Sequence, residues 1–338
     1  MKKMVKNIGV IGAGSWGTTL ANLLAEKGYP VTLWAYEEDL VARMQTSREN
    51  DLYLPGFTLS DNLTFTTDIK AAVSNKDLVL FVPPSQVLRR LLEKVVNCFD
   101  DQVIIVSASK GIENDTLLPM SEIFAELLPQ PIKKRTAYLS GPSFAREVVQ
   151  KMPTAVAVAA NDDTIAAEVQ AVFSTDVFRV YTNRDAIGVE LGGALKNVIA
   201  LAAGISDGLG YGYNTRAALI TRGLAEITRI GVAMGADPMT FAGLAGMGDL
   251  VLTCTGDLSR NRSVGFELGQ GRTLAEILNE MNMVAEGVKT TLSAYQLANK
   301  LGVEAPLIEQ MYEILYNEKE ARVAVNALME RQLKPEGA

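Results

Sequence analysis

Asn7-Ile8-Gly9-Val10-Ile11-Gly12-Ala13-Gly14-Ser15-Trp16-Gly17-Thr18-Thr19-Leu20-Ala21 decides the fold, because an apolar strand runs through a glycine turn straight into a helix. Gly12 and Gly14 suit a tight turn whose backbone comes close to a pyrophosphate, and Gly17 suits a helix packed hard against the strand. The free N–H groups and positive dipole of the helix N-terminus attract such an anion. A glycine turn alone marks many unrelated packed turns, so its flanks must discriminate. Ile8 to Ile11 is apolar, Thr18 to Glu26 is amphipathic, Gly28 ends the helix, and Val31-Thr32-Leu33-Trp34-Ala35 opens a second strand. This βαβ opening predicts a bound dinucleotide.

The 338 residues are enough for two domains, and 48% hydrophobic with 21% charged side chains is ordinary globular composition. A formal net charge of −7 argues against general binding to nucleic acid or anionic membranes, so an anionic ligand needs locally placed cations. Cys98 and Cys254 have no metal-type spacing and read as buried, reduced thiols; no metal is expected. Lys2, Lys3 and Lys6 precede too few apolar residues for a signal peptide. Leu191 to Ile205 is interrupted by Lys196 and Asn197 and is too short to span a bilayer. The expectation is a cytoplasmic protein without membrane insertion.

Further apolar strands are predicted at Leu78 to Val82, Val103 to Ser107, Thr136 to Leu139 and Thr154 to Val158, with another at Phe178 to Tyr181, separated by helical segments. This alternation predicts an α/β fold with an N-terminal, Rossmann-like, doubly wound and mostly parallel sheet. From Asp185 onward, long Ala-, Leu-, Gly- and Met-rich runs carry helical periodicity and no strand pattern returns. We therefore expect a nucleotide-binding domain over 1–188, an all-helical substrate-binding domain over 189–338, and an active site between them.

The chain contains no histidine, the usual proton donor of hydroxy-acid dehydrogenases, so another group must carry any proton transfer. Lys196 is the only charged side chain in Leu191 to Gly204, and burial in apolar surroundings lowers a lysine pKa toward the useful range. A snorkelling surface lysine would look the same in isolation; the missing histidine and the adjacent Asn197 favour a general acid/base. Lys110 follows an apolar strand, at the sheet edge where ligands bind, or is a plain loop lysine. Ser143 either caps a helix or meets a ligand. If Ser259 caps a helix starting at Arg260, its N-terminus together with Arg260 and Arg262 makes a phosphate site; otherwise the arginines are solvated.

End to end, the chain resembles the bacterial-type NAD(P)-dependent glycerol-3-phosphate dehydrogenase family. The resemblance rests on Gly12-Ala13-Gly14-Ser15-Trp16-Gly17, Phe81-Val82-Pro83 with Ser85, Ser107-Ala108-Ser109-Lys110-Gly111, Leu139 to Ala145, Leu195-Lys196-Asn197, Gly248-Asp249, Ser259-Arg260-Asn261 and Val284-Ala285-Glu286-Gly287. It implies reversible hydride transfer between NAD(P)H and C2 of dihydroxyacetone phosphate, forming sn-glycerol 3-phosphate for phospholipid synthesis, in a homodimer. Lys196 would be catalytic. Lys110, Gly141, Ser143, Lys196, Asp249, Ser259, Arg260 and Asn261 would surround the substrate. Ser15, Trp16, Tyr36, Lys110, Ala145, Arg260, Val284 and Glu286 would join the glycine turn at the cofactor. Other two-domain reductases, of the β-hydroxyacid dehydrogenase or ketopantoate reductase type, and a non-catalytic nucleotide sensor are the rival readings.

The family often carries Arg or His just past the second strand, suited to a 2′-phosphate, where this chain has Tyr36 followed by Glu37, Glu38 and Asp39. Glu37 lies about twenty residues beyond Gly17, where an acid binds the ribose 2′-hydroxyl of NAD. Helix-capping acids give the same sequence. Both NADP and NAD remain open on this reading.

Overall fold

The computed structural model describes residues 5–281, 285–333 and 335–336. The glycine turn leaves strand β1 (Ile8–Ile11) for helix α1 (Ser15–Glu26), and the chain continues through β2 (Val31–Trp34), α2 (Glu38–Ser47), β3 (Leu63–Thr66), α3 (Ile69–Val73), β4 (Leu78–Phe81) and α4 (Ser85–Val95). Then come β5 (Ile104–Ser107), α5 (Met120–Leu127), α6 (Gln130–Lys133), β6 (Thr136–Ser140), α7 (Ala145–Val149), β7 (Thr154–Ala159), α8 (Asp163–Phe173) and β8 (Phe178–Asn183).

The eight strands form one sheet in the order β3-β2-β1-β4-β5-β6-β7-β8. All neighbours are parallel except β6 and β7. β1 pairs with β2 on one side and β4 on the other, Ile8↔Val31 and Ile8↔Leu78, and it is buried along its whole length. That explains its uninterrupted apolar run, since helices cover both faces of such a sheet. Strand order reverses between β1 and β4, and the crevice at such a switch point is where open α/β sheets bind ligands. The sequence reading missed β3: Leu-Thr-Phe-Thr alternates over only four residues, too short a run to stand out, and its inward Leu63 and Phe65 are buried once the strand pairs with β2.

Beyond Asn183 the described residues form helices only: α9 (Ala186–Gly208), α10 (Tyr213–Ala233), α11 (Pro238–Phe241), α12 (Asp249–Thr255), α13 (Arg260–Gly269), α14 (Leu274–Glu280), α15 (Glu286–Leu301), α16 (Pro306–Tyr316) and α17 (Ala321–Met329). Helix α9 belongs to both halves. Ala186 and Val189 pack into the core under the sheet, whereas Leu191, Leu195, Val198, Ile199 and Leu201 fill the helical core. By length and composition α9 is apolar enough to cross a membrane, but 83% of that window is buried inside the protein. A helix hydrophobic all round is what the centre of a large helical core requires. Of the two thiols, Cys254 is buried as expected, while Cys98 is only half-buried.

Candidate active site

The glycine turn has the shape that a pyrophosphate needs. Gly12 sits at φ +111°, and a Cβ there would lie 2.9 Å from the Val82 carbonyl carbon, so the turn is locked against the end of β4. Nothing lies within 4 Å of where a Gly14 Cβ would be, which leaves open space at the N-terminus of α1, and no side chain caps that end. Uncapped N–H groups facing an open cradle fit an anion. Ser15 and Trp16 form the first turn of α1, with the Trp16 ring 6.4 Å from Phe178 of β8. The Ala145 carbonyl accepts a hydrogen bond from Thr19 Oγ1 of α1 at 3.3 Å, which brings Ala145 to this end of the sheet. Tyr36 is 79% exposed at the rim.

Two lysines converge on one carboxylate across the two halves. Lys110, just past β5, donates from Nζ to Asp249 Oδ2 at 2.7 Å, while Lys196 of α9 donates to Asp249 Oδ1 and to Thr253 Oγ1 at 2.9 Å. Asp249 is almost fully buried, Lys196 nearly so, and the Lys110 side chain is 19% exposed. Burial pushes the Lys196 ammonium down to about 7; Asp249 opposes that shift and the Lys110 charge adds to it. A titration near neutrality is what a general acid/base needs. Thr253 escaped the sequence reading because a threonine inside an apolar helix carries no signal of its own; Lys196 selects it only in three dimensions.

Local backbone puts these groups in place. Asp249 opens α12 directly after a π-helical turn, Leu244–Gly248, a wide-turn irregularity that recurs at functional sites. Gly193 of α9 has no side chain because a Cβ there would overlap Ser140 Oγ and lie 3.6 Å from Lys110 Cδ. The close approach of α9 to the end of β6 is what brings the two lysines to one carboxylate.

Past β6, Gly141 lies beside Lys110, whose Nζ is 3.4 Å from the Gly141 carbonyl. Ser143 does not cap α7. Its Oγ donates to the Gly141 carbonyl at 3.0 Å, and Phe144, without a side-chain bond, occupies the cap position. Ser259 does cap α13, accepting from the Arg262 N–H at 3.2 Å. Arg262 is held in ion pairs, with Asp207 at 2.9 Å, which it shares with Arg216, and with Asp257 at 3.0 Å, in place of the solvated or phosphate-facing arginine expected from the sequence. Surrounding protein lowers the Arg260 guanidinium pKa and the charge of Glu286 opposes that shift. Asn261 spends most of its amide on the protein, donating to Asn197 Oδ1 and accepting from the Gly287 N–H, which leaves one N–H.

Glu286 opens α15 and accepts from Ser85 Oγ at 3.0 Å, tying the helical half to the loop after β4. Burial raises its carboxyl pKa, with Ser85 and Arg260 working the other way. Ser85 stood in a quoted motif without a role. Val284 lies outside the described residues. Among the described residues there is no group of three or more His, Cys, Asp or Glu side chains that could hold a metal ion.

Two family sequence models account for nearly the whole chain: NAD-dependent glycerol-3-phosphate dehydrogenase N-terminus over residues 7–166 and C-terminus over residues 185–326. The chain belongs to the NAD-dependent glycerol-3-phosphate dehydrogenase family. A glycerol-3-phosphate dehydrogenase [NAD(P)+] of Syntrophotalea carbinolica is 66% identical over 98% of this chain and 99% of its own length. One from Leptospira biflexa is 54% identical over 98% and 99%. The crystal structure of the Coxiella burnetii glycerol-3-phosphate dehydrogenase superposes with a TM-score of 0.93 at 40% identity, covering 97% of this chain and 99% of that one. A ketopantoate reductase from Ralstonia eutropha, at 16% identity and a TM-score of 0.60, shares the fold alone. The enzyme is thus an NAD(P)-dependent oxidoreductase acting on a small molecule, and the lysine pair bridged by Asp249 lies where its two family segments meet.

Proposed function

We propose that this enzyme reversibly reduces dihydroxyacetone phosphate to sn-glycerol 3-phosphate with Lys196 as general acid, and that the bridged cluster Lys110, Asp249, Lys196 and Thr253 is its catalytic centre. The observation that carries this reading is a buried lysine bonded to a carboxylate and a hydroxyl that orient it, with burial pushing its pKa down toward neutrality, in a chain that has no histidine. The cofactor, held by Gly12, Gly14, Ser15, Trp16 and Gly17 at the N-terminus of α1, supplies the hydride for ketone reduction when bound. Negative charge then grows on the substrate oxygen. The ammonium groups of Lys196 and Lys110 stabilise that charge, and Lys196 delivers the proton. Asp249 keeps both lysines aimed and its charge favours the ammonium form of Lys196, which takes its next proton from solvent.

The α13 N-terminus, capped by Ser259 and carrying Arg260, supplies donors and positive dipole for the substrate phosphate, with the remaining N–H of Asn261. Gly141 and Ser143 line the opposite wall; Ala145 and Glu286 complete the cofactor side. Residues 1–188 bind the nucleotide and 189–338 the substrate. The same reading has the enzyme working as a cytoplasmic homodimer that feeds glycerophospholipid synthesis.

The test follows nicotinamide absorbance with dihydroxyacetone phosphate. Lys196→Ala should lower kcat by about 10²- to 10⁴-fold, the usual worth of a general acid. A rate that survives this substitution removes the mechanism. Preference for a 2-keto acid over the phosphorylated ketone favours a carboxylate reductase instead, and no turnover in the unaltered protein favours a nucleotide sensor.

A further inference from the structure

The end of β2 lies against the glycine turn, where the Gly12 N–H donates to the Trp34 carbonyl at 3.1 Å. Glu37 stands three residues further on, at the cap position of α2, yet its side chain makes no cap hydrogen bond. The capping account of this acid therefore fails. Its Oε1 instead accepts from the Tyr53 hydroxyl at 2.8 Å. Tyr53 is itself anchored: its N–H donates to Asn50 Oδ1 at 2.9 Å, and Asn50 Nδ2 donates to the Ala13 carbonyl of the glycine turn and to Thr18 Oγ1 of α1, both at 2.8 Å. Asn50 is completely buried. One fully satisfied amide thus registers Tyr53, and through it the Glu37 carboxylate, against the pyrophosphate cradle.

The free charges nearest Glu37 are acidic. Glu38 and Asp39 follow Glu37 on the first turn of α2. Arg43 is gripped by Asp39 at 2.7 Å and by Asp51 at 2.8 Å. Arg48 donates to the Ser60 and Leu63 carbonyls, lies 3.9 Å from Asp61 and sits over Phe65, although its Nε has no hydrogen-bond partner. A phosphate monoester carrying nearly two negative charges would meet carboxylates here and arginines already committed. A ribose diol would meet an acceptor, because an ionised carboxylate with one oxygen taken by Tyr53 keeps its other oxygen for a hydroxyl donor.

We propose that this enzyme prefers NADH to NADPH, that Glu37 is the residue that decides this at the adenosine end of the cofactor site, and that Tyr53 is the positioning residue that aims it. The inference rests on the nicotinamide-dependent reading above. Burial and Glu37 push the Tyr53 phenol up to about 12, so it remains a donor throughout the working range.

The experiment measures kcat and KM for both cofactors with dihydroxyacetone phosphate, and separately the Kd of each reduced cofactor from dihydronicotinamide fluorescence without substrate. The unaltered enzyme should favour NADH by about ten- to a hundredfold, the worth of one or two hydrogen bonds to a charged group. Glu37→Gln should shrink that ratio at least about tenfold, raising KM for NADH and lowering it for NADPH while kcat holds. Tyr53→Phe should weaken NADH severalfold and leave NADPH unchanged. Equal use of both cofactors, a preference for NADPH, or variants that weaken both cofactors alike would overturn the proposal. If turnover with dihydroxyacetone phosphate is absent, the substrate reading fails, while the two Kd values still decide cofactor choice.

Discussion

Asp249 answers two ammonium groups with one carboxylate, and on the proposed mechanism that imbalance tunes Lys196 as the general acid. Burial drives the lysine pKa down, while the shared Asp249 charge compensates only in part. With Lys196 as the proposed general acid, reduction would use its charged form, so the rate should be level below about pH 7 and fall as pH rises through that value; oxidation would use the neutral form and should do the reverse. Asp249→Asn removes the charge that favours the ammonium. The falling limb of the reduction profile should therefore move to lower pH, alongside a loss of kcat. Profiles of kcat for both directions in the two proteins check this, and an unmoved limb would assign the titration to another group. Lys196 itself was legible in the sequence as a lone charge in an apolar run. Thr253 was not, since only the fold of α12 against α9 sets its hydroxyl 2.9 Å from the lysine.

Single elements are placed by small contacts of long sequence reach. Ser85, at the start of α4, reaches Glu286 at the start of α15, 201 residues away. Gln86 reinforces the loop by donating to the Ile112 carbonyl at 2.7 Å. Ser85→Ala leaves a half-buried carboxylate without its neutral donor and frees the two helix starts from each other. We expect KM for the reduced cofactor to rise about three- to tenfold, matching a net hydrogen bond of about 1 kcal/mol, with Ser85→Thr retaining most of the function. An unchanged KM in Ser85→Ala would mean that the contact is incidental. Periodicity revealed the helices and most strands, because buried parallel strands are continuous apolar runs. It missed β3, whose four residues gain their burial from the neighbour β2, and it assigned Arg262 to a phosphate because a helix N-terminus does not announce the aspartates that arrive from α9 and its own approach loop.

Across the whole molecule, α9 makes one folding unit of two cores. Its first turn packs beneath the sheet and the rest forms the axis of the helical half. Both tryptophans, Trp16 and Trp34, lie in the sheet half, whereas far-ultraviolet circular dichroism reports all the helices. Urea unfolding followed by the two signals should therefore coincide. Ile199→Ala, deep in the helical core against Gly223, should cost about 2–5 kcal/mol and move both curves together. Curves that separate would show the halves unfolding independently.

The amino-acid sequence by itself determined the doubly wound sheet, the dinucleotide turn, the helical second half, the lone lysine in an apolar run and the family, because periodicity, glycine spacing and ordered motifs are local properties of the chain. Tertiary structure alone decided which charges neutralise one another. Asp249 is shared by Lys110 and Lys196, Arg262 is drawn to Asp207, and Glu37 accepts from Tyr53 instead of capping its helix. Electrostatic partners are set by distance in space, and residues 53 to 139 positions apart come within hydrogen-bonding reach only when the sheet and α9 have packed.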